Sequence, residues 1–382
     1  MSAALNPAIP QLEAEGQILA EVNGCLGLIT LNRAGALNAL SLAMIRDLTR
    51  LLQAWAEQPS VQAVLISGAG REGKPAAFCA GGDIRFFHQA ALAGTPEASA
   101  ELAAFFTEEY ALNHLIHHYP KPYIALMDGV VMGGGMGISQ GSRLRVLTEN
   151  SRLAMPETNI GLFPDVGGGW FLGQCPGHVG EWLALTGQAI SAGDAMAFGL
   201  GDVFVQSHAL PGLLDALRRQ PQSSAEHVVA TVMDCVDLAP PAASSGVRER
   251  VDRHFGQADL PAILASLAAA AEEGDEWALA THASLLKRSP LMLAVTLEQV
   301  RRARSMSLAD DLRMERDLVH HCFHLRPGAA SETVEGIRAL AIDKDHAPRW
   351  NPARVEDLRP AQVAAFFASP WSPAEHPLRL LA

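Results

Sequence analysis

Residues 121–139 read KPYIALMDGVVMGGGMGIS, and this stretch decides the fold class. Its first nine residues are a short apolar run of the kind a buried strand takes, and the run ends in glycines. Glycine lets backbone approach a ligand closely and leaves N–H groups uncovered by side chains. The pattern has a counterpart upstream, where VQAVLISGAG (61–70) is a strand ending in a Gly-rich loop and FCAGGDIRFF (78–87) follows it. LRVLTEN (144–150) is a further strand, and QILAEVNGCLGLITLN (17–32) is two β-prone runs joined by Asn23-Gly24, a hairpin signal. Between these runs the apolar spacing turns helical. SLAMIRDLTRLLQAWAEQ (41–58) has Ser41 placed as N-cap, and residues 84–118 are helical with a break near Gly94-Thr95-Pro96.

Strands alternating with helices predict an α/β architecture over residues 1–210, the part expected to carry the active site. After GDVFVQ (201–206) the composition changes. SSAEHVVATVMDCVDLAPPAASSGVRERV reads as a loose connection, and from about residue 258 every segment reads as helix. A boundary is therefore expected between 207 and 225, with residues 211–382 forming a mostly helical C-terminal region. No internal repeat and no long low-complexity tract is present.

The chain has 382 residues, 49% of them hydrophobic and 18% charged, and a formal net charge of −12. That balance argues against nucleic acid as a partner, because binding a phosphate backbone rests on excess positive charge. No apolar run is long enough to span a membrane. The first residues lack both the basic start and apolar core of a secretory signal and the arginines of a transit peptide, so a cytoplasmic protein is expected. Five widely spaced cysteines form no CxxC pair and no disulfide framework, which fits a reducing compartment.

Within MPETNIGLFPDVGGGWF (155–171), two carboxylates, Glu157 and Asp165, stand in apolar company, each beside a proline, and the second runs into three glycines. These acids are either helix caps on a surface loop or an active-site wall. The glycines of the other two loops allow three readings. They serve tight turns and close packing, or form a dinucleotide fingerprint, or offer two N–H groups as an oxyanion hole for acyl chemistry. The fingerprint fails: the GxGxxG frame from Gly133 ends on Ile138 and the frame from Gly135 ends on Gln140. There is no GxxxxGK[ST] either.

Four segments, AFCAGGDIR, GVVMGGGMG, MPETNIGLFPDVGGGWFL and EGIRALAIDKDHAPRW (335–350), together resemble the crotonase (enoyl-CoA hydratase/isomerase) superfamily, and more narrowly its 3-hydroxyisobutyryl-CoA hydrolase branch. The resemblance runs from about residue 17 to residue 365. It implies a spiral of ββα units with a helical C-terminal region. It also implies that Gly82 and Gly134 supply the oxyanion N–H groups and that Glu157 is the acid held over the acyl carbons. Hydratases carry a second glutamate where this chain has Gly137, a departure that speaks against hydration of a double bond. The hydrolase branch carries an Asp at Asp165 and a Glu at Glu109. The implied activity is hydrolysis of a short branched 3-hydroxyacyl-CoA thioester, as in valine breakdown, with Glu109, Gly134, Glu157 and Asp165 contacting substrate. Coenzyme A is then part of the substrate, and no separate cofactor or metal is expected. The alternatives are a hydratase or isomerase that uses Glu157 alone, and a non-catalytic acyl-CoA-binding or assembly subunit. A homo-oligomer is also implied, since the superfamily often forms trimers through its C-terminal helices, although the long extension can block or replace that contact.

Other features carry less. His320 and His324 share a helix face with Cys322 between them, but no HExxH or further ligand set accompanies them, and His114, His117 and His118 are judged the same way. Cys79 reads as a buried small side chain. GISQG (137–141) matches GxSxG, yet Ser139 lies well past the strand end, on an expected helix, where a nucleophile elbow does not form. Arg33, Arg85, Lys121, Lys287, Arg288 and Lys344 are the cations placed near motifs or on the helical tail, and none is singled out for the phosphates of coenzyme A.

Overall fold

The computed structural model describes residues 9–70, 77–219, 224–244 and 246–382. The chain divides into two compact units, each assembled from three separate segments. Unit 1 comprises Met1–Gly82, Ala111–Leu153 and Ile190–Ala243; unit 2 comprises Asp83–Tyr110, Ala154–Ala189 and Ser244–Ala382.

Unit 1 is built on a six-stranded sheet. Its strands are β1 (Ile18–Asn23), β2 (Leu26–Leu31), β3 (Ala63–Gly68), β5 (Tyr123–Met127), β7 (Leu144–Leu147) and β9 (Val203–Phe204), hydrogen-bonded in that order. Only β1 and β2 are antiparallel, through the expected hairpin, where Gly24 takes φ +59. Every other pair is parallel, with Leu28 opposite Leu65 and Leu65 opposite Ile124. A parallel sheet is covered on both faces, which is why YIALM of β5 is apolar throughout and buried at every position. The helix Leu42–Glu57 is capped by Ser41, whose hydroxyl accepts the Met44 N–H at 3.3 Å.

A second sheet of three short strands, β4 (Ala77–Cys79), β6 (Val130–Met132) and β8 (Arg152–Ala154), was not expected from the sequence. Strands of three residues are too short for alternation to mark them. The segment read as a loose connection also proves more ordered than expected. It contains the helix Ala225–Met233 and the start of Arg248–Phe255, and Val228 and Val232 of the first are fully buried with Leu26, Leu65 and Ile124. Its Ala, Ser and Pro content hid an i, i+4 apolar pair.

Unit 2 is helical. Beside the helix Ile84–Ala93 it holds the start of Pro96–His117, the two separated by Gly94 at φ +63, so the predicted break is present. The helices Leu260–Glu272, Glu276–Leu285, Pro290–Ala303 and Leu308–His324 follow, with N-caps Asp259, Asp275, Ser289 and Ser307 each accepting from a first-turn N–H. An aromatic cluster anchors the entry helices. Phe87 packs 4.8 Å from Phe105 and 4.9 Å from Phe106, which in turn meets Tyr110 and Phe323. No helix among the described residues is long and apolar enough to cross a membrane.

Candidate active site

In unit 1 the two glycine loops lie backbone against backbone. The first leaves β4 at Cys79 and passes through Gly81 at φ +102, whose carbonyl accepts the Leu40 N–H at 2.8 Å. The second leaves β6 at Met132, turns at Gly133 with φ +50, and opens the helix Gly134–Gln140. A Cβ at Gly135 would stand 2.3 Å from the Cys79 carbonyl oxygen, and one at Gly81 would stand 3.2 Å from the Met132 oxygen and 3.5 Å from the Gly134 nitrogen. Only glycine permits this approach. Gly134 is the first residue of its helix, so its N–H has no intrahelical acceptor. No backbone carbonyl of the described residues takes the N–H of Gly82 or Gly134. The structure thus brings the loops of these two residues side by side.

Ser139 lies in that same short helix, fully buried, with its hydroxyl donating to the Gly135 carbonyl at 2.8 Å. It stands on no strand-to-helix elbow. Gly137, at the position where hydratases carry their second acid, is buried in the helix as well.

In unit 2 the structure gathers Glu109, Glu157 and Asp165. Glu157 opens the 3-10 turn Glu157–Ile160, and the chain leaves that turn through Gly161 at φ +64, where a Cβ would stand 2.4 Å from the Glu332 carbonyl oxygen. The Glu157 side chain is buried, and its Oε2 meets no hydrogen-bond partner. Asp165 is equally enclosed and accepts a hydrogen bond from the Tyr110 hydroxyl at 2.8 Å. Asp165 is not the cap of the following helix: Gly168–Gly173 begins after Gly167, with no side-chain cap. Glu109 is not a solvated helical acid. It is 2% exposed, with one carboxylate oxygen unpartnered.

Burial is the main reason all three carboxyls titrate high. It pushes Asp165 up to about 6, against the Tyr110 hydroxyl and a backbone N–H that favour its ionised form. Burial lifts Glu109 and Glu157 well above the usual range, and the negative charge of Asp165 lifts both further. Three buried carboxyls this close titrate as a group, each favouring its protonated form more than a solvated acid does. Such an arrangement can give and take protons near pH 7.

The glycines of PDVGGGW have a partner that the sequence did not suggest. Glu315, in the helix Leu308–His324, accepts the Gly167 N–H at 2.7 Å and the Gly169 N–H at 3.0 Å. Gln299 donates to the same carboxylate at 3.0 Å and to the Pro164 carbonyl at 2.6 Å. Asp311 accepts the Trp170 N–H at 2.9 Å, and a Cβ at Gly169 would stand 2.5 Å from its other oxygen. The loop from Pro164 to Trp170 is thereby clamped on both sides of Val166, a β-branched residue held at φ +59, where side chains of its kind are strained. Burial, then the Asp311 charge, raises Glu315, and burial raises Asp311 to about 7. The available clue was Asp311 and Glu315 at i, i+4, two acids on the helix face that also carries Leu308, Leu312 and Cys322.

The remaining candidates are structural or lie elsewhere. Lys121 donates to the carbonyls of Trp55 and Gln58, and Arg33 to that of Ala39. The rings of His320 and His324 stack at 4.0 Å beside Trp371, and Cys79 is buried. Lys287 and Arg288 line a cavity of unit 2.

Comparison with known proteins matches this architecture. The model of the enoyl-CoA hydratase/isomerase family fits residues 26–367. The chain is 40% identical over 361 residues to the mitochondrial 3-hydroxyisobutyryl-CoA hydrolase of Xenopus tropicalis, covering 93% of this chain and 89% of that one. It is 36% identical over 360 residues to a probable 3-hydroxyisobutyryl-CoA hydrolase of Arabidopsis thaliana, covering 93% and 92%. A solved structure titled carnitinyl-CoA dehydratase, from Mycobacterium thermoresistibile, superposes with a TM-score of 0.82 at 36% identity, over 94% of this chain and 98% of that one. This chain is a member of the enoyl-CoA hydratase/isomerase family, on the side of it that the 3-hydroxyisobutyryl-CoA hydrolase relatives occupy.

Proposed function

We propose that the protein hydrolyses a short branched 3-hydroxyacyl-CoA thioester of the 3-hydroxyisobutyryl-CoA kind to the free acid and coenzyme A. The observation that carries this reading is the grouping of Glu157, Asp165 and Glu109 in one buried space, together with glycine rather than glutamate at position 137. In this reading the thioester carbonyl accepts the N–H groups of Gly82 and Gly134. Each donor stabilises the developing oxyanion by about 3 kcal/mol. Glu157 then acts in one of two ways. As nucleophile its carboxylate bonds to the acyl carbon, the C–S bond breaks, and coenzyme A leaves as thiolate; water then cleaves the mixed anhydride. As general base it takes a proton from the water that attacks directly. Asp165 accepts the hydroxyl of the acyl group through the oxygen that Tyr110 does not hold, or orients Glu157, and Glu109 helps bind that hydroxyl. A cytoplasmic setting and a role in valine breakdown belong to the same reading; the mitochondrial label is that of the animal relative.

The test is release of free thiol from 3-hydroxyisobutyryl-CoA, followed with a thiol reagent. The wild type is expected to turn over and Glu157→Gln to lose at least a hundredfold in kcat. The dehydratase title of the solved neighbour favours a second reading, hydration of an enoyl-CoA by Glu157 alone. Loss of enoyl absorbance with crotonyl-CoA, without thiol release from the hydroxyacyl ester, would establish that reading instead.

A further inference from the structure

The motif EGIRALAIDKDHAPRW (335–350) takes no part in the chemistry above, yet it is a built structure. Arg338 is its hub, binding Glu335 at 2.8 Å and both Asp343 and Asp345 at 2.7 Å, and donating to the Ala347 carbonyl. The Trp350 indole N–H donates to the Lys287 carbonyl at 3.0 Å, which ties the motif to the end of the helix Glu276–Leu285. Between them lies a cavity of about 790 Å³, lined by Asn159, Lys287, Arg288, His346, Arg349 and Trp350 together with small and aliphatic side chains. Its volume is in the range of small-molecule sites.

Three observations give this cavity a charge preference. No Asp or Glu is among its lining residues, although the chain as a whole carries −12. The acids closest in sequence, Glu335, Asp343 and Asp345, are already engaged by Arg338. Finally, Arg288 is half-buried and makes no ion pair with a carboxylate among the described residues. Its hydrogen-bond acceptor is the Thr186 carbonyl at 3.3 Å, and its Nε is enclosed without a partner. A guanidinium withdrawn from water without a counter-ion is costly unless an anion completes it, and its planar fork suits phosphate. Arg288 also borders a smaller cavity of about 360 Å³, but the acid there, Glu356, pairs with Arg354. The lining adds apolar surface: Leu286 is 61% and Leu340 39% exposed, and Trp350 lines the same cavity.

We infer that this cavity binds a phosphorylated nucleotide, with Arg288 and Lys287 on the phosphate and Trp350 and the leucines against the base. The nucleotide comes either from the end of the CoA thioester, an assignment that rests on the function proposed above, or from a free nucleotide, which does not. The probe is adenosine 3′,5′-bisphosphate, titrated calorimetrically into the full-length protein. One-to-one binding is expected, weakened at least tenfold in both Arg288→Gln and Lys287→Gln. Lys287, being exposed, serves as the variant that keeps its fold should Arg288→Gln not. The source is read from KM values for 3-hydroxyisobutyryl-CoA and for its pantetheine thioester, which lacks the nucleotide. If the pocket holds the substrate, Arg288→Gln raises the ratio of the two KM values at least tenfold; if it holds a free nucleotide, bisphosphate binding is lost and the ratio stays. Wild-type protein that does not bind the bisphosphate, or variants that bind it as tightly as wild type, overturn the inference. Absence of thiol release from both esters would instead overturn the function, with bisphosphate binding still readable.

Discussion

Replacing Glu315 by leucine removes the clamp on the loop that carries Asp165. The carboxylate accepts from the Gly167 and Gly169 N–H groups and from the Gln299 amide, all buried. Each buried donor stripped of its acceptor costs about 1–3 kcal/mol, so the three together cost about 3–9 kcal/mol. Burying the leucine side chain returns about 1.5–3 kcal/mol. The net loss, about 4 kcal/mol at the centre of these ranges, falls on one loop, and the strain at Val166 adds to the tendency to open. Because the chain has two units, a single unfolding free energy is a poor readout, and local hydrogen exchange is the right assay. A peptide spanning residues 162–172 should lose protection at the Gly167 and Gly169 amides by about several hundredfold, at 1.4 kcal/mol per decade. Glu315→Gln keeps one acceptor oxygen and should lose less. Thiol release should fall in the same order, leucine below glutamine below wild type. A folded Glu315→Leu protein with wild-type exchange in this peptide would refute the clamp.

Two further predictions follow from the geometry. Asp165 titrates at about 6 rather than at 3.8, so its folded form binds the proton more tightly than its unfolded form, and stability is lost as pH rises through that interval. Asp165→Asn should therefore raise thermal stability at pH 7, by up to about 3 kcal/mol, while the gain shrinks below pH 4; a melting-temperature difference that does not change with pH contradicts this. In unit 1, Gly135→Ala drives a Cβ into the Cys79 carbonyl, which is backbone and cannot turn aside. It should destabilise by about 1–3 kcal/mol and, by parting the Gly82 and Gly134 loops, reduce thiol release at least tenfold; full activity would show that the loops need not touch.

How much of this was legible in the sequence depended on range. The hairpin at Asn23-Gly24, the cap at Ser41 and the helix break at Gly94 are set by neighbours in the chain, and local patterning found them. Glu157 and Asp165 stood out because acids amid apolar residues are locally visible. Glu109 did not: a glutamate beside Glu108 on a helix looks solvated, yet the fold buries it. Tyr110 on Asp165, Glu315 on Gly167 and Asp311 on Trp170 are contacts across 55, 148 and 141 residues, which no short window contains. The strands β4, β6 and β8 escaped for the opposite reason, being too short to show a period.

The clamp has an evolutionary corollary. Positions 167, 169, 299, 311 and 315 constrain one another, since a methyl group at 169 meets the Asp311 carboxylate, the Ala303 methyl and the Gln299 amide together. A relative that keeps PDVGGGW yet lacks both distant acids must steady that loop by some other means. The site is therefore specified as much by the helix behind it as by the motif that advertises it.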